Sequence, residues 1–187
     1  YKTTTEMSSS MMPGKLKQTQ LWSADGKEGS KMEMQGMTMQ SSYFDGKAGQ
    51  STNMQTGTNA FTAEEIAAKQ KSQGIIPEMN YTTSGMEYEL LGIEEFNGKD
   101  AYVVKLNDGE SETYKYYDTK TFFCIGSTTI TEQNGEAREV SVLFSNFEES
   151  NGFMFAKTLN VDLGGFSLEG TITERLWNVK VNLDDFK

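Results

Sequence analysis

Turn dipeptides recur along this chain at intervals of one or two strand lengths, and that spacing constrains its fold more than any other feature. Asp25-Gly26, Asp45-Gly46, Asn97-Gly98, Asp108-Gly109, Asn134-Gly135, Asn151-Gly152 and Gly164-Gly165 punctuate the sequence. Asn-Gly and Asp-Gly reach the positive φ values of primed turns, whose twist matches that of the antiparallel strands they join. Between the turns apolar residues alternate, as with Val140, Val142 and Phe144, or Phe153 and Phe155. Thr, Val and Tyr are frequent there, as on a pleated half-buried surface. These signals predict about ten or eleven strands.

One segment, "NAFTAEEIAAKQKSQG", reads as a helix. Thr62 caps it, Glu65 completes a capping box, Gly74 stops it, and Pro77 prevents a restart. The expected layout is four strands, this helix with a loop, then a long antiparallel meander, all one domain over residues 1–187. So long a meander must close, stack or curl around something. The economical solution is a mostly β (α+β) fold: a curved, unclosed antiparallel half-barrel with one or two helices on its concave face.

Composition removes several function classes. The net charge is −10, and the only arginines are Arg138 and Arg175. Phosphate backbones need clustered cations, so nucleic acid is excluded as a partner. The chain has no histidine, which excludes Ser-His-Asp and Cys-His catalysis and His-ligated zinc. Cys124, the single cysteine, lies in the apolar run "TFFCIG" and reads as a small buried hydrophobe. No apolar run approaches the roughly 18 residues that a membrane-spanning helix needs. The acidic pairs Glu64-Glu65, Glu94-Glu95, Glu148-Glu149 and Asp184-Asp185 read as solvated surface, because adjacent strand residues face opposite ways. "NDGESE" lacks the spacing of a calcium loop and reads as a hairpin, and Asn80-Tyr81-Thr82 is a formal glycosylation sequon. No phosphate loop or dinucleotide fingerprint occurs, so neither a cofactor nor an enzymatic activity is expected.

The methionines hold the functional question. Met32, Met34, Met37 and Met39 fall within "KMEMQGMTMQ", in a chain of 11 methionines. Read as one strand bulged at Gly36, the segment turns all four thioethers to one side, with Met54 on the next strand beside them. Three readings follow. The cluster is core packing, or a pliable apolar wall for a lipid-like ligand, or a thioether site for Cu(I). The first two are compatible, since a cavity lining is a core that does not quite close.

Residues 85–123 carry a resemblance. Leu91, Gly92, Glu94, Gly98, Lys99, Ala101, Tyr102 and Val103, followed by Tyr116, Tyr117, Asp118 and Thr121, match a recurring pattern of bacterial periplasmic proteins. With the Met-rich strands, the "TAEEI" helix and the closing "VKVNLDDF", the chain resembles the LolA-like lipoprotein-carrier superfamily. More narrowly, it resembles the Bacteroidota branch of outer-membrane lipoprotein-sorting proteins, and a domain appended to insulinase-type zinc peptidases. The resemblance implies a half-barrel holding acyl chains in an apolar hollow, a periplasmic location, and a family helix ahead of residue 1.

The function expected is therefore a non-enzymatic periplasmic binding domain for a lipid, acyl chain or lipoprotein. Its expected lining is Met32, Met34, Met37, Met39, Met54, Tyr88, Leu90, Tyr102, Val104, Phe153 and Phe155. Two alternatives stand beside it. One is a filled domain that docks a zinc peptidase or an envelope protein; the other is a Cu(I)-binding protein.

Overall fold

A computed structural model describes residues 1–71, 75–80, 87–107, 111–133 and 136–187. Among them the chain forms β1 (Lys2–Ser8), β2 (Leu16–Trp22), β3 (Glu28–Met34), β4 (Met37–Phe44), β5 (Gly49–Asn53) and β6 (Gly57–Ala60). Helix α1 (Ala63–Lys71) and a 3-10 turn (Pro77–Asn80) follow. Then come β7 (Glu87–Phe96), β8 (Lys99–Asn107), β9 (Ser111–Asp118), β10 (Cys124–Gln133), β11 (Glu136–Ser150), β12 (Phe153–Asp162) and β13 (Ser167–Leu176). A 3-10 turn at Leu183–Phe186 ends the order.

The sheet order is β6-β5-β4-β3-β2-β1-β13-β12-β11-β10-β9-β8-β7. Its end strands β6 and β7 are not neighbours, so the sheet is unclosed. The fold is mostly antiparallel β with one α-helix among the described residues. Two compact units divide the chain: Tyr1–Asn80 with Thr171–Lys187, and Tyr81–Gly170.

In the first unit the Met-rich segment is a hairpin, which corrects the reading of one bulged strand. Gln35 and Gly36 adopt φ of 52° and 80° and close a two-residue turn, with Met34 directly across from Met37. Positive φ at both central residues is the primed-turn signature. Here Gln stands where Asn usually does. The bulge lies one step further on, where Met39 is the extra residue between Thr38, opposite Glu33, and Gln40, opposite Met32. This hairpin and the short exposed β6 account for most of the difference between thirteen strands and the ten or eleven expected.

The capping box forms as its sequence predicts. The Glu65 amide donates to Thr62 Oγ1 at 3.2 Å, and the Thr62 amide donates to Glu65 Oε2 at 2.7 Å. The predicted stop at Gly74 lies outside the described residues, as do the Asp108-Gly109 and Asn134-Gly135 turns and most of the sequon. Lys69 fastens α1 to the sheet through Glu28 Oε2 at 2.9 Å.

On the other face, Phe186 of the closing turn is buried over Gly29. A Cβ at Gly29 would come within 2.6 Å of the Phe186 ring, so only glycine admits the ring there. Leu21, directly opposite Gly29, is buried on this face, whereas Leu16, Met7 and Phe44 are buried on the opposite one, the face of Glu28. Trp22 and Trp177, half-buried, gather on Tyr1 with ring centroids 5.7 and 4.5 Å away.

The second unit packs Ala101, Val103, Leu106 and Ile125. Phe96 stacks on Tyr116 at 4.0 Å directly above Gly126, where a Cβ would lie 2.4 Å from the Phe96 ring. The resemblance pattern has a structural cause here. Asp118 is buried and accepts the Lys120 and Thr121 amides at 2.9 Å each, closing the turn between β9 and β10.

Candidate functional site

Residues directly opposite one another in an antiparallel pair share a face. Applied to the second unit, the register gathers one face from six strands, apolar on β7, β8, β11 and β12. Leu90 pairs with Val104, then Lys115, Ser127, Val142 and Val161 follow across the sheet. Tyr88 pairs with Leu106 in the row beside it, and Ile93 with Tyr102, then Tyr117 and Cys124, on the other side. Phe144 opposite Leu159, Phe155 opposite Glu148 and Phe153 opposite Ser150 extend the same face along β11 and β12. The unbroken alternation of β12 keeps Phe153, Phe155, Leu159 and Val161 together.

Much of this face meets water. Tyr88 is 53% exposed, Leu90 62%, Ile93 57% and Phe153 43%. Phe122, held at φ 59° in the Asp118 turn, lays its ring parallel to Tyr102 with centroids 6.1 Å apart. Phe153 and Phe155 sit 6.3 Å apart, and the Lys157–Glu148 ion pair at 3.3 Å borders them. The opposite face is partly polar. There Lys105 donates to Glu112 at 2.7 Å and holds its carboxyl below the usual carboxylate range.

Six of the residues expected as lining therefore share this face: Tyr88, Leu90, Tyr102, Val104, Phe153 and Phe155. Ile93, Phe122, Val142, Leu159 and Val161 join them without having been expected as lining. The alternation phase of β11 and β12 marks three of these; Phe122 sits in a turn and gives no such signal.

The methionines lie in the first unit and divide. Met32, Met34 and Met37 share a face, continuing the buried pair Met7 and Leu16 across β1 to β4. Met39 is the unpaired bulge residue beside Gln40, and its carbonyl accepts the Met54 amide at 3.1 Å. Met37 and Met54 are 56% and 61% exposed. Cys124 is half-buried, with its thiol 3.4 Å from the Gly126 carbonyl oxygen. Among the described residues no group of three or more His, Cys, Asp or Glu converges as a metal site. No described helix is long and apolar enough to cross a membrane.

No protein-family model matches the sequence, and no curated protein does. Solved structures do. An outer membrane lipoprotein-sorting protein domain from Vibrio parahaemolyticus aligns with TM-score 0.62 at 13% identity, over 99% of this chain and 88% of that one. A LolA superfamily protein from Nitrosomonas europaea aligns with TM-score 0.64 at 12% identity, over 100% and 88%. A DUF1329 family protein from Desulfovibrio piger gives 0.63 at 11% identity, over the same shares. The chain thus has a LolA-like fold.

Proposed function

We propose that this protein is a non-enzymatic periplasmic binding domain that holds a lipid or acyl chain against the apolar face of its second unit, in the manner of a lipoprotein carrier. One observation carries the reading: Tyr88, Leu90 and Ile93 are more than half exposed on one sheet face with Tyr102, Val104, Phe153 and Phe155. Exposed apolar patches on soluble proteins mark ligand or partner surfaces. The likeness to a lipoprotein-sorting domain supports both the ligand class and the location.

The mechanism is burial. Each methylene moved from water onto such a face gains about 0.8 kcal/mol. A chain of about twelve carbons would gross nearly 10 kcal/mol before ordering costs, without precise polar recognition. The unbranched side chains of Met32, Met34 and Met37 offer a second adaptable surface in the first unit.

Native mass spectrometry of protein purified without detergent tests this. A retained acyl-chain species, lost from a folded Leu90→Asp/Ile93→Asp variant, is the expected result. Protein that is empty and takes up no added fatty acid or lipopeptide overturns it. A protein partner, such as a zinc peptidase or an envelope protein, is the second reading. It is favoured by the position of Leu90 and Ile93 on β7, an end strand of the sheet that offers both side chains and backbone to a neighbour.

A further inference from the structure

The first unit carries a cleft of about 310 Å³ on the face of the sheet where Phe186 covers Gly29. Lys2, Lys17 and Lys31 reach it from β1, β2 and β3, and Lys180 from the segment after β13; Glu33 and Asp185 are its carboxylates. Strand register brings them together, with Lys17 opposite Glu33, Lys2 opposite Leu21, and Lys31 beside them opposite Thr19. Four lysines against two carboxylates leave a local charge of +2, in a chain whose net charge is −10.

The carboxylates are already engaged. Glu33 pairs with Lys31 at 3.3 Å, and Asp185 accepts a hydrogen bond from the Asn182 side-chain Nδ2 at 2.8 Å. Nearby Glu6 is held by Lys15 at 2.9 Å. Lys2, Lys17 and Lys180 thus line a concave, mostly polar site, where field lines concentrate and attract an anion. Leu176 and Val179 supply its apolar edge, with the buried Leu21 and Phe186 beneath.

We propose that this cleft binds the anionic group of a small amphiphile, a phosphate or carboxylate carried on an apolar stem. The lysines serve as mobile point charges with three donors each, suited to either anion. The volume is at the lower end of the roughly 300–1,000 Å³ of small-molecule sites, enough for a headgroup and the first carbons behind it. The site lies within the first unit and stands apart from the acyl-binding reading.

Calorimetric titration with octyl phosphate, octanoate, octyl glucoside and inorganic phosphate tests it. The background is the Leu90→Asp/Ile93→Asp variant, so that the apolar face of the second unit does not contribute. Octyl phosphate and octanoate are expected to bind, more weakly as salt rises, and octyl glucoside not to compete. Lys17→Gln/Lys180→Gln should weaken octyl phosphate at least tenfold while the circular dichroism spectrum stays unchanged, and Lys2→Glu should do the same. Unchanged affinity in both variants, or equal binding of the glucoside, overturns the site. Inorganic phosphate binding as tightly as octyl phosphate overturns the amphiphile assignment in favour of a free anion.

Discussion

Leu90 of β7 stands directly across from Val104 of β8, on a sheet face where Leu90 keeps most of its surface in water. A core leucine would be buried; in the proposed reading the exposed side chain of Leu90 contacts the ligand. Leu90→Asp should therefore cost little stability, about 1 kcal/mol or less, as surface strand substitutions do. It should nevertheless abolish uptake of a fluorescent fatty acid. A fall in uptake that merely follows a fall in melting temperature would show Leu90 to be structural instead.

The Gln35-Gly36 turn gives a test of the hairpin. Gly36 has φ of 80° with open space where a Cβ would stand, so an added methyl meets backbone strain and no clash. Gly36→Ala should lower stability by about 1 kcal/mol, seen as a lower urea midpoint at constant slope. Gln35→Asn, which restores the preferred turn pair, should raise it by a few tenths. If Gly36→Ala is neutral, the turn is not of the primed kind.

Local signals made much of this fold legible in the sequence, and non-local ones hid the rest. The Thr62–Glu65 capping box works because both bonds close within one helical turn. Asn97-Gly98 and Asn151-Gly152 are turns with paired positive φ, as their residues require. Gln35-Gly36 misled because Met-x-Met runs on both sides of it as one pattern, and Gln is not a customary turn former. β6, "GTNA", has no apolar alternation and is a strand only because β5 pairs with it. The second-unit face was readable from the period of two, whereas Phe122 reaches Tyr102 only through the Asp118 turn. The lysine cleft joins strands near the chain's start to residues near its end, so no local window contains it.

Phe186 is buried in the closing 3-10 turn and fills the space above Gly29. Phe186→Ala removes a buried aromatic ring and should cost about 3–5 kcal/mol, with a large drop in melting temperature. Gly29→Ala forces a Cβ into that ring and should destabilise from the other side. Because the two defects meet at one contact, the double variant should cost less than the sum of the singles. Strict additivity would mean that the closing turn does not dock on β3.

Asp118 ties the β9–β10 turn to pH. The Thr121 and Lys120 amides, and then the Lys99 ammonium 3.7 Å away, hold its carboxyl below the ordinary value of 3.8. The folded state thus favours the ionised form more than the unfolded chain does. A carboxyl depressed in this way contributes its full stability above the ordinary value, and loses it as pH falls through the lower folded value. Wild-type stability should therefore be level in this respect above about pH 5 and decline below 3.8. Asp118→Asn keeps one acceptor oxygen for the two amides but loses the charge. It should be less stable than wild type at pH 7, with the gap narrowing as the wild-type carboxyl protonates. Urea midpoints for both proteins between about pH 2 and 7 measure this. Parallel curves would remove Asp118 as a source of acid sensitivity and leave its amide bonds as a purely geometric device.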